Sequence, residues 1–132
     1  MKNLIVIMAV CCCLPVGCAA FSKEAKKESF GRTMDFYETA MRISDLNAVC
    51  HFVDESAMSR QDCLKRFGNI KLVSFEIMDA QVDEESLDVR QEIRVGYHFL
   101  DHYQIKERQY GQTWHYDEDR KGWLLQNGPP AF

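Results

Sequence analysis

The sequence predicts an α+β domain in which N-terminal helices pack on one face of a curved antiparallel meander. Three observations carry that expectation. Phe30, Met34, Tyr37 and Met41 recur at spacings of four, three and four, the period of one helix face. Leu87, Val89, Ile93, Val95, Tyr97 and Phe99 hold one side of a period-two register, with Asp88, Arg90, Glu92, Arg94 and His98 on the other. Two tryptophans, Trp114 and Trp123, flank the charged turn Glu118-Asp119-Arg120-Lys121-Gly122.

Ahead of the domain, residues 1–17 have the three parts of an export signal: Lys2, an apolar run from Leu4 to Val16, and small residues at Gly17, Ala19 and Ala20. The run is about 13 residues long, against about 20 for a bilayer-crossing helix, so it predicts a signal and not a span. Residues 18–29, with Lys23, Lys26 and Lys27, predict a linker, and residues 30–132 a single domain. The linker reads either as a solvated segment or as a basic stretch drawn to anionic headgroups.

Ser29 is the expected N-cap of the first helix. Asp45 offers a second cap, and Leu46, Val49, Cys50 and Val53 continue a helical stripe, so Phe30 to Asp54 reads as two helices with a kink or as one bent helix. Ser59 and Asp62 approximate a capping box before a short third helix that Gly68 can end. Val73, Phe75 and Ile77 then alternate with Lys71, Glu76 and Asp79 once an irregularity is allowed around Ser74, which predicts a strand. Asp83-Glu84-Glu85-Ser86 turns the chain into the second strand. A third runs from about Gln104 to Tyr116 and a short fourth covers Trp123-Leu124-Leu125. Gly128-Pro129-Pro130 ends the sheet, because proline cannot donate to a ladder.

Composition narrows the function classes. Of 16 basic residues only Lys2 falls in the signal, leaving 15 against 20 acidic side chains, a net charge of −5. A mildly acidic chain without a clustered basic face argues against nucleic acid as a partner. Cys11, Cys12, Cys13 and Cys18 lie in the signal region, leaving Cys50 and Cys63 in the domain. In an oxidising compartment such a pair forms either a disulfide, closing a loop of about a dozen residues at a gain of about 3 kcal/mol, or two buried thiols.

No glycine-rich phosphate loop, serine nucleophile elbow or paired Cys-x-x-Cys occurs, so neither cofactor nor metal is expected. His98, Asp101, His102 and Tyr103 cluster in one short run. On an unbroken strand His98 and His102 stand about 13 Å apart, too far to share a metal bound at about 2 Å. A turn at Leu100 and Asp101 brings them together, but at a solvated hairpin tip. Tyr110, Trp114 and Tyr116 make an aromatic stripe that reads either as core beneath the helices or as the wall of a site for a small apolar ligand.

Two resemblances extend this reading. Leu14-Pro15-Val16-Gly17-Cys18 resembles the bacterial lipoprotein box, which implies acylation of Cys18 and anchoring in membrane lipid. With Ala19 after the cysteine, it further implies the periplasmic face of the outer membrane. A cut after Ala19 or Ala20, releasing a periplasmic or secreted protein, fits the same residues. The run FYETAMRISDLNAVCHFVDES and the ending WHYDEDRKGWLL resemble the opening helices and closing hairpin of the nuclear transport factor 2-like superfamily. That resemblance implies a conical pocket between helices and sheet, and pairing of two copies through the open sheet. It also implies an isomerase- or hydratase-like alternative using an acid or histidine base, for which His98, Asp101 and His115 are the candidates. The expected role is non-catalytic: binding a small ligand or an envelope protein.

Overall fold

The computed structural model describes residues 22–132. Residues 1–17, expected from the sequence to be an export signal, and Cys18 lie outside the described residues, among which no helix is long and apolar enough to cross a membrane. Three helices, α1 (Lys23–Arg42), α2 (Leu46–His51) and α3 (Arg60–Phe67), precede β1 (Ile70–Val82), β2 (Val89–Phe99), β3 (His102–Asp117) and β4 (Gly122–Leu125). The strands pair antiparallel in the order β1-β2-β3-β4, the meander expected of an α+β fold.

Helix α1 starts two turns earlier than Ser29. Ser22 is its N-cap, accepting the Ala25 N–H at 3.2 Å, so the lysine-rich stretch expected to be a linker is helix from Lys23 onward. Lysine and glutamate are good helix formers, Glu28 pairs with Arg32 at 3.0 Å one turn on, and the early lysines find partners in the β1–β2 and β3–β4 turns. The helix stops at Ile43, and Ser44 adopts a left-handed φ of 59°. Asp45 caps α2 through the Ala48 N–H, giving two helices with a break. Ser59 caps α3 and Gly68, at φ 58°, ends it, as the sequence predicts. A disulfide joins Cys50 of α2 to Cys63 of α3, their Cα atoms 5.8 Å apart.

The bulge expected near Ser74 lies between Leu72 and Ser74, and a second interrupts β1 between Ile77 and Asp79. A third, between Tyr97 and Phe99, follows the turn at Leu100 and Asp101. Bulges bend strands and blunt an open edge, and β1 is such an edge. The Ser44 hydroxyl blunts it further by accepting the Leu72 N–H at 3.0 Å. On the other side, Phe52 to Asp54 runs alongside β4, with Leu125 donating to the Phe52 carbonyl and Asp54 donating to the Leu125 carbonyl, each at 2.8 Å.

The core lies between the helices and the inner face of the sheet. Met34, Tyr37 and Met41 of α1 meet Leu72 and Phe75 of β1, Ile93 and Val95 of β2, and Trp114 of β3 there, all buried. Trp123 ties β4 to α1, its indole N–H reaching the Lys26 carbonyl and the Ser29 hydroxyl at 3.0 Å each. Ser29 thus serves as a mid-helix acceptor. Beyond β4 the chain crosses back over the inner face, and the Phe132 N–H donates to the Arg66 carbonyl at 3.0 Å.

Candidate functional site

Strand β3 brings Tyr110, Gln112, Trp114 and Tyr116 to the inner face at period two. Trp114 is wholly buried, its ring centre 5.0 Å from Tyr37, 6.1 Å from Phe30 and 6.2 Å from Phe52. Tyr116 packs on Trp123 at 5.6 Å, with the Lys26 ammonium 4.9 Å over its ring. The stripe of Tyr110, Trp114 and Tyr116, read as core or as ligand wall, is therefore core at Trp114 and Tyr116. Only Tyr110 stays half-buried. The reason is that α1 lays Phe30 and Tyr37 directly on the rings, so aromatic edges occupy the space a ligand would need.

A polar chain threads this core. The Trp114 indole N–H donates to Gln112 Oε1 at 3.3 Å, and Gln112 Nε2 donates to the Tyr37 hydroxyl at 2.9 Å. Burial pushes the Tyr37 phenol well above its ordinary value, with the neighbouring Tyr110 adding to the shift, and burial likewise raises Tyr110. Both stay neutral and serve as hydrogen-bonding groups. The Tyr110 hydroxyl and Gln91 Oε1 are buried without a partner.

The three residues considered for catalysis do not share a site. His98 points its Nδ1–H at the Phe99 carbonyl, 2.8 Å away, beside the Tyr103 ring, and Asp101 forms the exposed hairpin turn. The turn at Leu100 and Asp101 thus exists, and it places this cluster at the tip. His115 lies thirteen residues along β3 from His102, on the order of 40 Å away for an extended strand. Its Nδ1 meets Asp88 Oδ1 at 2.6 Å across the β2–β3 ladder, on the half-exposed outer face. A small cleft of about 170 Å³ borders Asp88, lined otherwise by Gln81, Val82, Asp83 and Arg90, with no serine, threonine or cysteine among them. Among the described residues, no three His, Cys, Asp or Glu side chains converge as a metal site would require.

Several grooves mark the described surface, and two differ sharply in lining. One, of about 440 Å³, lies over Gly111 on the outer face of the sheet and is lined by Asp79, Arg90, Glu92, Thr113 and Asn127, charges of both signs. The other, of about 430 Å³, lies between α1 and α2 and is mainly apolar, with Phe36, Ala40, Ile43 and Phe52 alongside His51 and Arg60. Phe36 and Ile43 are 71% and 67% exposed. At the hairpin tip Leu100, Tyr103 and Ile105 are also more than half exposed.

These residues share one end of the molecule. Ser44, just past the end of α1, touches Leu72, and the Leu100 N–H donates to the Asn69 carbonyl, so the C-terminal end of α1 and the β2–β3 hairpin lie together. At the other end, Lys23 donates to the Glu84 carbonyl and Lys26 pairs with Glu118, joining the start of α1 to the acidic turns. The two ends are about 30 Å apart, the length of α1. Among the described residues, the five large apolar side chains that are more than half exposed belong to the end far from Ser22, or to the last two turns of α1 leading to it, while Met78 and Val82 of β1 are each 45% exposed toward the acidic turn at Asp83. No family model matches the chain, and no curated protein matches it.

Proposed function

We propose that this is an exported envelope protein, lipid-anchored through Cys18, that works without catalysis as an interaction module. It docks a partner protein on the end of the domain opposite its anchor. The observation that carries this reading is the division of the molecule into two unlike ends. An inner sheet face filled by the chain's own rings favours an interaction module over a carrier, and exposed Phe36, Ile43, Leu100, Tyr103 and Ile105 supply an apolar docking end. From Cys18 to Ser22 the chain spans at most about 14 Å, so an acylated Cys18 holds the start of α1 close to the bilayer. The apolar end then faces away from the membrane toward other envelope proteins. The wide separation of His115 from His98 and Asp101 speaks against these three residues sharing an acid-base site.

The test has two arms. Cys18→Ser is expected to move the protein from the membrane to the soluble fraction. A photo-crosslinker at Tyr103 is expected to give one saturable adduct, abolished by Phe36→Asp with Ile43→Asp, while the same probe at Glu118 gives none. Membrane retention of Cys18→Ser overturns the anchor, and equal labelling from both ends overturns the docking end.

A further inference from the structure

On the outer face of the sheet, opposite the helices, Asp88, Arg90, Glu92 and Arg94 alternate in sign, the last three on β2 and Asp88 just ahead of it. The two ends of this row are answered across the ladder. Asp88 meets His115 at 2.6 Å, and Arg94 donates to Glu76 at 2.7 Å. Among the described residues, Arg90 and Glu92 between them form no ion pair, and the groove of about 440 Å³ lies over these two. A groove of that volume is in the range that holds small molecules.

The strand register leaves these two charges open. Opposite Glu92, β1 places Asp79 and β3 places Gly111, so no cation faces it and one neighbour carries its own sign. Like charges directly opposite one another on a sheet repel. Glu92 lies over Gly111, where a Cβ would come 3.1 Å from its Oε1, and the glycine gives it that room. Opposite Arg90 stand Gln81 and Thr113, two hydrogen-bonding side chains without charge. The acids that border Arg90 on its other side are committed elsewhere: Asp83 accepts the N–H groups of Glu85 and Ser86 at 2.9 Å each, and Asp88 holds His115. Asn127 fixes the far wall to β3, accepting the Thr113 N–H and donating to the Gly111 carbonyl at 2.7 Å each. The groove therefore has two carboxylates at one end and a guanidinium at the other, one two-residue step of about 7 Å along β2. Two residues of extended peptide span about the same length. An ammonium set against Asp79 and Glu92 places a carboxylate two residues on at Arg90, where charge-assisted bonds are the strong ones. We propose that the groove over Gly111 binds a small zwitterion whose ammonium and carboxylate stand about 7 Å apart, a dipeptide being the simplest. The site is separate from the apolar docking end and stands or falls without it.

The test follows backbone amide resonances as glycylglycine is added. Glycylglycinamide, which lacks the carboxylate, and N-acetylglycylglycine, which lacks the ammonium, are the controls. Glycylglycine is expected to shift the Gly111 and Thr113 amides saturably, and each control to bind about tenfold more weakly, the worth of one hydrogen-bonded charge. Arg90→Gln is expected to bind glycylglycine no better than glycylglycinamide. Asp79→Asn with Glu92→Gln is expected to bind it no better than N-acetylglycylglycine. All three substitutions lie on the solvated face, and the remaining amide resonances report whether each variant keeps its fold. The absence of a saturable shift overturns the site. A control that binds the unaltered protein as tightly as glycylglycine, or a preference for glycylglycine that survives Arg90→Gln, overturns the zwitterion.

Discussion

Tyr37 and Tyr110 approach each other from α1 and β3 in surroundings that stabilise only their neutral forms. The unfolded chain releases a phenol proton near pH 10, and the folded chain holds it to higher pH. Folding therefore takes up protons above that value, and stability falls as pH rises from about 10, by up to about 1.4 kcal/mol per pH unit for each phenol kept neutral. Below pH 10 the contribution is fully present. Urea titrations from pH 8 to 11.5 should show a flat midpoint followed by a decline, and Tyr37→Phe should make the decline shallower. A midpoint that holds steady through pH 11.5 would mean that water reaches both hydroxyls. Gln112 shows why such a group escapes a reading of the sequence. Its place on the aromatic stripe is set by parity alone, but its role as acceptor for Trp114 and donor to Tyr37 depends on a helix 75 residues away.

Helices α2 and α3 have six and eight residues, each too short to persist in water on its own. What holds them is the Cys50–Cys63 bond, the packing of Val49, Cys63 and Phe67, and the run of Phe52 to Asp54 along β4. Reduction, or the pair Cys50→Ser and Cys63→Ser, should cost about 3 kcal/mol, the chain-entropy value for a loop of this length. Hydrogen exchange should show residues 46–67 losing protection ahead of β2 and β3, and uniform loss across the domain would place the bond outside any local unit. These elements were legible because their signals are local: a serine cap, a glycine stop, alternation in β2. The start of α1 was not, because a lysine- and glutamate-rich stretch reads equally as linker or exposed helix until Glu84 and Glu118 appear beside it. Nor was the facing of Asp88 and His115. The two-residue turn at Leu100 and Asp101 alone would set Asp88 opposite Thr113, and the bulge between Tyr97 and Phe99 shifts the register by two to His115.

Across the described domain, the most exposed apolar side chains and the acidic turns gather at opposite ends, which bears on how the domain would meet a membrane if it is anchored at Cys18 as proposed. Lys23, Lys26 and Lys27, which read from the sequence as possible partners for anionic headgroups, are directed to the chain's own acidic turns. Lys23 reaches the Glu84 carbonyl at 3.1 Å, Lys27 the Glu84 carboxylate at 3.5 Å, and Lys26 pairs with Glu118. Asp83, Glu85 and Asp119 lie in the same two turns, so the end nearest the proposed anchor offers an anionic bilayer as much repulsion as attraction. A basic residue near such a surface contributes about 1 kcal/mol only if no closer acid engages it. The unacylated domain from Ser22 should therefore fail to sediment with phosphatidylglycerol-rich vesicles at physiological salt. Glu84→Gln with Glu118→Gln should release the lysines and raise vesicle binding several-fold, an effect that salt should abolish within the Debye screening regime. Sedimentation of the unaltered domain would show that the lysines prefer headgroups to Glu84 and Glu118. If it stays in solution, the lysines at the start of α1 do not themselves hold the protein to a membrane, and the charge pairs serve to fasten α1 across the end of the sheet.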